Sequence, residues 1–412
     1  MNSRKRNEEK RKKKVLQYEQ SRRRRESKVR EILTAIKLDA TLRETPLVKR
    51  LLKCHCPKVQ FVLGSEVPEG DESGSLCEAM KKILKVVTFD CPQVGPQFLV
   101  TDYFEFVVPI VDCLRRLRCP DDPAIACTIA AAQAQTLELE SDDTVWTALK
   151  ALISEIESAL IIYNRMTKAM YYVAHDLARN EKGQRRVILT LRQQLADEIQ
   201  VTLDGKSRPA FRCGAAHWPH EIDWCVWRSE IIGVANVNRE YRIYSQWHVF
   251  DQLQDRLGAF CSDLGVLHEW LWQSISLATT SPPRVSVKRD RFVTDTYWVD
   301  FLLYGHRVGY VVATLHDDTI ILRTFLFLTM QGTPEQMRLH EAIGLTRSQR
   351  ELLSLDSLDT FVLSDIQSDA VLSKLFEDCG CGHLFRMLKE PLDECSVRKM
   401  AEQVKKHLGL GW

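Results

Sequence analysis

No run of eighteen apolar residues occurs in this chain. The longest candidates are 104–117, broken by Pro109 and Asp112, and 124–137, broken by glutamines, so no membrane-spanning helix is expected. The N-terminus is charged and lacks the apolar stretch of a secretory signal. There is no Gly-x-Ser-x-Gly elbow, which leaves an α/β-hydrolase reading without a nucleophile. Gly205-Lys206-Ser207 resembles the end of a phosphate loop, but Gln200 stands where the first glycine is required. His220-Glu221 starts like a zinc-protease helix, yet Trp224 occupies the place of the second histidine. Internal repeats are absent, as are low-complexity tracts outside the first thirty residues. The thirteen cysteines are odd in number and scattered from Cys54 to Cys395. They predict free thiols in a reducing compartment rather than a disulfide framework. The expected setting is cytoplasmic, with nuclear or nucleoid association as alternatives.

Charge, by contrast, is concentrated. The first thirty residues hold fourteen Lys and Arg against four Glu, a net +10. The whole chain carries only +2, so the other 382 residues sum to −8. A basic head on a mildly acidic body points to a polyanionic partner, because cationic side chains release counterions from phosphates. The first 38 residues contain no Gly or Pro, and Val29, Ile32, Leu33 and Ile36 repeat at helical spacing. A helix is predicted there, with little to bury before Val29. Arg4, Lys5, Arg6, Arg11, Lys12, Lys13, Lys14, Arg22, Arg23, Arg24 and Arg25 would surround it with charge and contact phosphates without reading bases. Tyr18 is its one aromatic, too little for a single-strand stacking platform. A solvated tail, a targeting signal and an anionic membrane surface are the competing readings.

Four regions are predicted: a basic helical extension over 1–38, ordered on a partner; a small mixed α/β region over 39–121, opening with a helix at Thr45-Pro46; a helical domain over 122–280; and a C-terminal α+β domain over 281–412. The turn formers Cys119-Pro120-Asp121-Asp122-Pro123 mark the second boundary and Ser281-Pro282-Pro283 the third. Trp146, Leu149, Ile153, Ile156, Leu160, Tyr163, Thr167, Met170, Ala174 and Leu177 keep a 3-4 spacing that reads as one long helix. Phe250 to Leu271 does the same, and with 184–201 between them the segments suggest three packed helices. The stripes could instead form a homodimer seam. After residue 281, β-branched and aromatic runs separated by Gly305-His306 and Asp317-Asp318 predict an antiparallel meander of 291–304, 307–315 and 319–329. Thr333 and Thr346 each begin a capping-box sequence for short helices. The fold class expected is therefore α+β, predominantly α, with a small β-meander near the C-terminus.

Several side-chain groupings invite chemistry. Cys213, His217, His220 and Cys225 supply four zinc-type ligands within thirteen residues, though their spacing fits no standard finger or knuckle and three tryptophans share the stretch. Cys54-His55-Cys56 and Cys379-Gly380-Cys381-Gly382-His383 raise the same question, with the glycines read first as helix stops. Tyr171 and His175, with Tyr172 and Asp176 beside them, could form an acid/base pair on the long helix. Gly344 separates the two capped C-terminal helices, of which the second begins with Arg347, Gln349 and Arg350, where a DNA-reading helix would carry its contacts. The functional expectation is an intracellular, non-enzymatic binding protein contacting nucleic acid or a ribonucleoprotein through its basic helix, with a protein partner for the folded body. The alternative is a metal-dependent enzyme whose site is assembled from distant residues around His217, His220 and Cys225.

Overall fold

A computed structural model describes residues 3–35, 59–91, 95–115, 127, 130, 142–165, 169–179, 185–217, 221–233, 238–258, 261–280, 283–290, 293, 295–343, 355–364 and 366–389. Two compact units emerge: Met1–Ile156 with Val173–Leu191, and Glu157–Tyr172 with Arg192–Trp412.

The first unit opens with α1, Ser3–Ala35, a 33-residue helix. Its residues are strong helix formers with no glycine or proline to interrupt them. Among its described side chains the buried ones are Val29, Ile32 and Leu33, in its final turns. Next come β1 (Gln60–Leu63), α2 (Asp71–Ile83), the hairpin β2 (Thr88–Cys91) and β3 (Gly95–Leu99), and α3 (Val108–Arg115), preceded by a π turn at Tyr103–Val107. α4 (Asp142–Leu160) buries Ala148, Leu149, Leu152, Ile153 and Ile156 at 3-4 spacing. β1 runs parallel to β5 (Arg185–Gln194), with Phe61 opposite Leu189, and β4 (Met170–Arg179) lies on the other side of β5.

The second unit is built on an eight-stranded sheet in the order β12-β13-β14-β15-β11-β7-β6, with β10 pairing β11 off this path. These strands are β6 (Glu198–Leu203), β7 (Lys206–Arg212), β10 (Val226–Arg228), β11 (Glu240–Gln246), β12 (Val287–Arg289), β13 (Thr296–Leu303), β14 (His306–His316) and β15 (Thr319–Phe327). β8 (Gly214–Ala215) and β9 (Asp223–Trp224) form a separate two-stranded pair. All pairings in the large sheet are antiparallel except β11 with β15. α5 (Trp247–Leu257) packs on β15 and α6 (Leu264–Leu277) on β13. Trp227 of β10 is fully buried in the same core and donates its indole N–H to the Ile275 carbonyl of α6 at 3.2 Å. α7 (Pro334–Ile343), α8 (Leu358–Leu363), α9 (Ala370–Phe376) and α10 (Gly382–Lys389) complete the unit.

The expectation of a predominantly α fold with a small meander is overturned: among the described residues helix accounts for 47% and strand for 32%. The long helix read over 146–177 ends at Leu160, and from Met170 the chain is strand. Between the two, Asn164 Oδ1 accepts the Tyr171 N–H at 2.6 Å, and Thr167 of the 3-4 spacing lies outside the described residues. Tyr171, Tyr172 and Val173 then supply the β-branched and aromatic content that favours a strand. The segment read as a helix over 184–201 instead holds β5 and the start of β6, with Val187, Leu189 and Leu191 of β5 buried in strict alternation. Phe250–Leu271 is two helices, interrupted at Gly258 (φ 47°) and restarted by Asp263, whose carboxylate accepts the N–H groups of Gly265 and Val266. The expected meander corresponds to β13–β15, but these are three strands of the larger sheet. Gly205 lies in the β6–β7 turn and Lys206-Ser207 open β7; Asp204 and Gly205 have φ of 53° and 74°, the paired positive values of a two-residue hairpin.

Gly265 admits the first turn of α6 to the backbone at 161–162. A Cβ there would stand 2.0 Å from the Ile161 carbonyl oxygen. Gly265→Ala should destabilise the protein by roughly 2–3 kcal/mol in urea unfolding, the upper part of the range for forced overpacking. A cost below about 1 kcal/mol would mean that this contact yields easily.

Candidate polyanion interface and buried polar clusters

The basic residues named from the sequence all lie on α1. Arg11, Lys12, Lys13, Arg22, Arg23 and Arg24 are exposed, and Arg25 is half-buried with Nε and Nη2 shielded and unpaired among the described residues. The side chains of Arg4, Lys5, Arg6 and Lys14 lie outside the description. Between the basic blocks, Val15, Leu16 and Tyr18 are also open, Tyr18 to 71%.

The helix is held near its C-terminal end by apolar burial and by one carboxylate. Asp102, buried at the end of the turn before Tyr103, lies 3.3 Å from Lys28 Nζ and 3.8 Å from Arg24 Nη2. Burial pulls the Lys28 ammonium down, but Glu31 and Asp102 outweigh it and hold the group above its ordinary value. Arg22 bonds Glu26 at 2.9 Å, yet Arg22 and Arg24 keep 69% and 72% of their side-chain surface open. The Arg22–Glu26 pair is solvent-exposed and the Arg24–Asp102 contact is long, so both guanidinium groups remain available to a stronger anion.

The zinc-type set lies in the second unit. Cys213 and Cys225 are fully buried, and the Cys225 N–H donates to the Cys213 carbonyl at 2.9 Å. Burial raises both thiols, Cys225 to about 12, so neither is a thiolate at neutral pH. His217 stacks on Trp272 with ring centroids 4.1 Å apart, and its Nε2 stands 3.3 Å from Glu269 Oε1. Gln273 donates to the same oxygen at 3.0 Å. His268 is buried and donates through Nε2 to the Gly214 carbonyl at 2.7 Å. His220 lies outside the described residues, as do Cys54, His55 and Cys56. Among the described residues no group of three His, Cys, Asp or Glu side chains could hold a metal ion.

Charge around His217 gives this cluster a pH signature. Burial lowers its affinity for a proton, but Glu269, with Glu157 and Asp223 farther out, lifts the imidazole above its ordinary 6.5. Its contribution to stability is complete below about 6.5 and is lost as pH rises through the raised value. His268 has the opposite sign: burial keeps it neutral, so its contribution fades as pH falls below 6.5. Glu269 is held below its ordinary 4.5 by His217 and Gln273 despite burial, and its contribution is lost only in stronger acid. His217→Gln should therefore flatten the alkaline decline of stability in urea melts and, by taking from Glu269 the partner that keeps its carboxyl low, weaken the acid-side contribution of Glu269 as well. A parent-like alkaline decline in the variant would contradict the assignment.

Sequence reasoning missed the most enclosed carboxylate described. Glu335, on α7, has 2% of its side chain exposed and accepts Tyr310 Oη at 3.0 and 3.1 Å, Arg307 Nη2 at 3.1 Å and Arg338 Nη2 at 3.1 Å. Arg307 also faces Asp300 at 3.5 Å, and Arg338 Nε donates to the Cys379 carbonyl at 2.9 Å. Cys379 and Cys381 are buried, with Gly380 at φ 97° between them, where the chain kinks and resumes as α10 instead of stopping. Thr333 Oγ1 accepts the Gln336 N–H at 3.1 Å and so caps α7. The second capped helix, with Arg347, Gln349 and Arg350, lies outside the described residues.

Tyr171 and His175 belong to β4 and not to a helix. Four residues along a strand span roughly 13 Å, so the suggested acid/base pair does not meet. His175 contacts the Trp146 ring edge-on at 5.5 Å. Among the described residues no helix is long and apolar enough to cross a membrane. No protein-family model, curated protein or solved structure matches the chain.

Proposed function

We propose that this chain is a binding protein that engages nucleic acid, or another polyanion, through α1, while the folded body serves a second partner. The observation that carries this reading is the division of one helix into two parts. Residues 29–33 bury Val29, Ile32 and Leu33, whereas the residues before Arg25 whose side chains are described are all exposed and include six cations. Such residues add little to a fold, since exposed charges stabilise weakly. Concentrated on a rod, however, they create the field that draws phosphate polymers and releases their counterions. An anionic membrane surface is less suited to the same helix, because its cations face every direction and leave no continuous apolar side to enter lipid.

The test is a titration of the full chain into fluorescent duplex DNA over a salt series. Engagement of about six phosphates gives a log–log slope near −5. Binding that ignores salt, or no binding at low salt, would remove the proposal.

A further inference from the structure

The two basic blocks of α1 are eleven residues apart. Eleven residues make three turns plus only about 20°, and advance the helix by roughly 16 Å. Arg11 and Arg22, Lys12 and Arg23, and Lys13 and Arg24 therefore stand in register, each pair on one line along the rod. All six are exposed. The line from Lys13 to Arg24 is the most informative, because the residues on it between the cations are Gln17 and Gln20, spaced four, three and four, and both are exposed. It also lies on the side turned away from the anchoring Val29, Ile32 and Leu33.

Resting on the polyanion reading, we infer that α1 enters the major groove of B-form DNA, inclined to the direction of the groove. Lys13 and Arg24 then take phosphates on opposite sides of the groove, and Gln17 and Gln20 meet the base edges. The dimensions agree. An α-helix with its side chains is about 10–12 Å thick and the B-form major groove about 12 Å wide, while the cation pair, extended by flexible side chains, reaches past both rims. Glutamine suits the interior, since its amide presents a donor and an acceptor together and pairs with adenine in two hydrogen bonds. Phosphate contact by in-register cations fixes orientation, and the amides between them confer sequence preference. A-form RNA is a poor fit: its major groove is too deep and narrow to admit the helix. Arg24 reaches this position while still near Asp102, whose weak 3.8 Å contact a phosphate would replace.

The experiment uses the full chain, labelled DNA duplex, labelled RNA duplex of the same sequence, and labelled heparin, a flexible polyanion with no groove. A variant with four alanines inserted between Tyr18 and Glu19 keeps every charge and the helix, but moves Arg24 about 6 Å farther from Lys13 and turns it by about 40°. The parent should prefer DNA over RNA by about tenfold or more, and the insertion should weaken DNA binding by about tenfold while leaving heparin within about twofold. A second variant, Gln17→Ala with Gln20→Ala, should reduce discrimination between DNA sequences without changing heparin affinity. Equal affinity for DNA and RNA, or an insertion without effect on DNA, overturns the groove inference and leaves the polyanion reading standing. Failure of the parent to bind heparin and DNA alike overturns both.

Discussion

Replacing Arg11, Lys12, Lys13, Arg22, Arg23 and Arg24 together by glutamine should weaken duplex DNA binding by about a thousandfold at low salt and make its salt dependence much shallower, the remaining cations of the helix keeping a residual slope. The size follows from the number of contacts. Each phosphate neutralised contributes a slope of about 0.9 in log affinity against log salt, so six contacts together make most of a non-specific affinity. The fold should be indifferent, because all six side chains are exposed and glutamine is nearly as good a helix former as arginine or lysine. The anchoring residues Val29, Ile32 and Leu33 and the Lys28–Asp102 contact remain in place. Binding and unfolding measured on the same preparation separate the two effects. A variant that binds as the parent does would place the anion site elsewhere in the chain.

The second large effect lies in the other unit. Glu335→Ala should cost about 3 kcal/mol in urea unfolding, because it leaves the Tyr310 hydroxyl and the Arg307 guanidinium enclosed without their shared acceptor. Arg307 would retain Asp300 at 3.5 Å, and Arg338, half exposed, can turn to solvent, which keeps the loss at the lower end of the range for broken buried pairs. Glu335→Gln should cost less, since the amide oxygen can still accept from Tyr310, although both arginines lose the countercharge. Equal costs for the two variants would mean that packing, not charge, fixes α7 to the sheet.

What could be read from residues alone follows a physical line. α1 was legible because its helix formers and its charge are local properties. The turns at Gly305 and Asp317 were legible because glycine and aspartate readily take the positive φ of 78° and 49° found there, although the first turn falls at Tyr304-Gly305 and His306 already belongs to β14. The strands β4 to β7 were not, because a loose 3-4 spacing can be matched in an apolar, aromatic segment that is in fact alternating. The turn at Asp204-Gly205 carried the missing signal, a two-residue hairpin motif flanked by alternation, against which the apparent helical spacing of 184–201 was given more weight. Glu335 could not be recognised at all: nothing in a helix-opening glutamate shows that Tyr310 and Arg307, from a distant strand, will close over it. His217 illustrates the same limit. Its neighbours Cys213 and Cys225 suggested a metal, whereas its partners in space are Glu269 and Trp272, more than fifty residues away.

The measurement closest to the central claim is lysine footprinting of the full chain with and without duplex DNA. Acylation at Lys12 and Lys13 on α1 is compared with that at the exposed Lys85 and Lys374 on the folded body. The account predicts that DNA protects Lys12 and Lys13 by about tenfold, that Lys85 and Lys374 react unchanged, and that added salt restores the parent pattern. Uniform protection of all four, or protection of the body lysines alone, would contradict it.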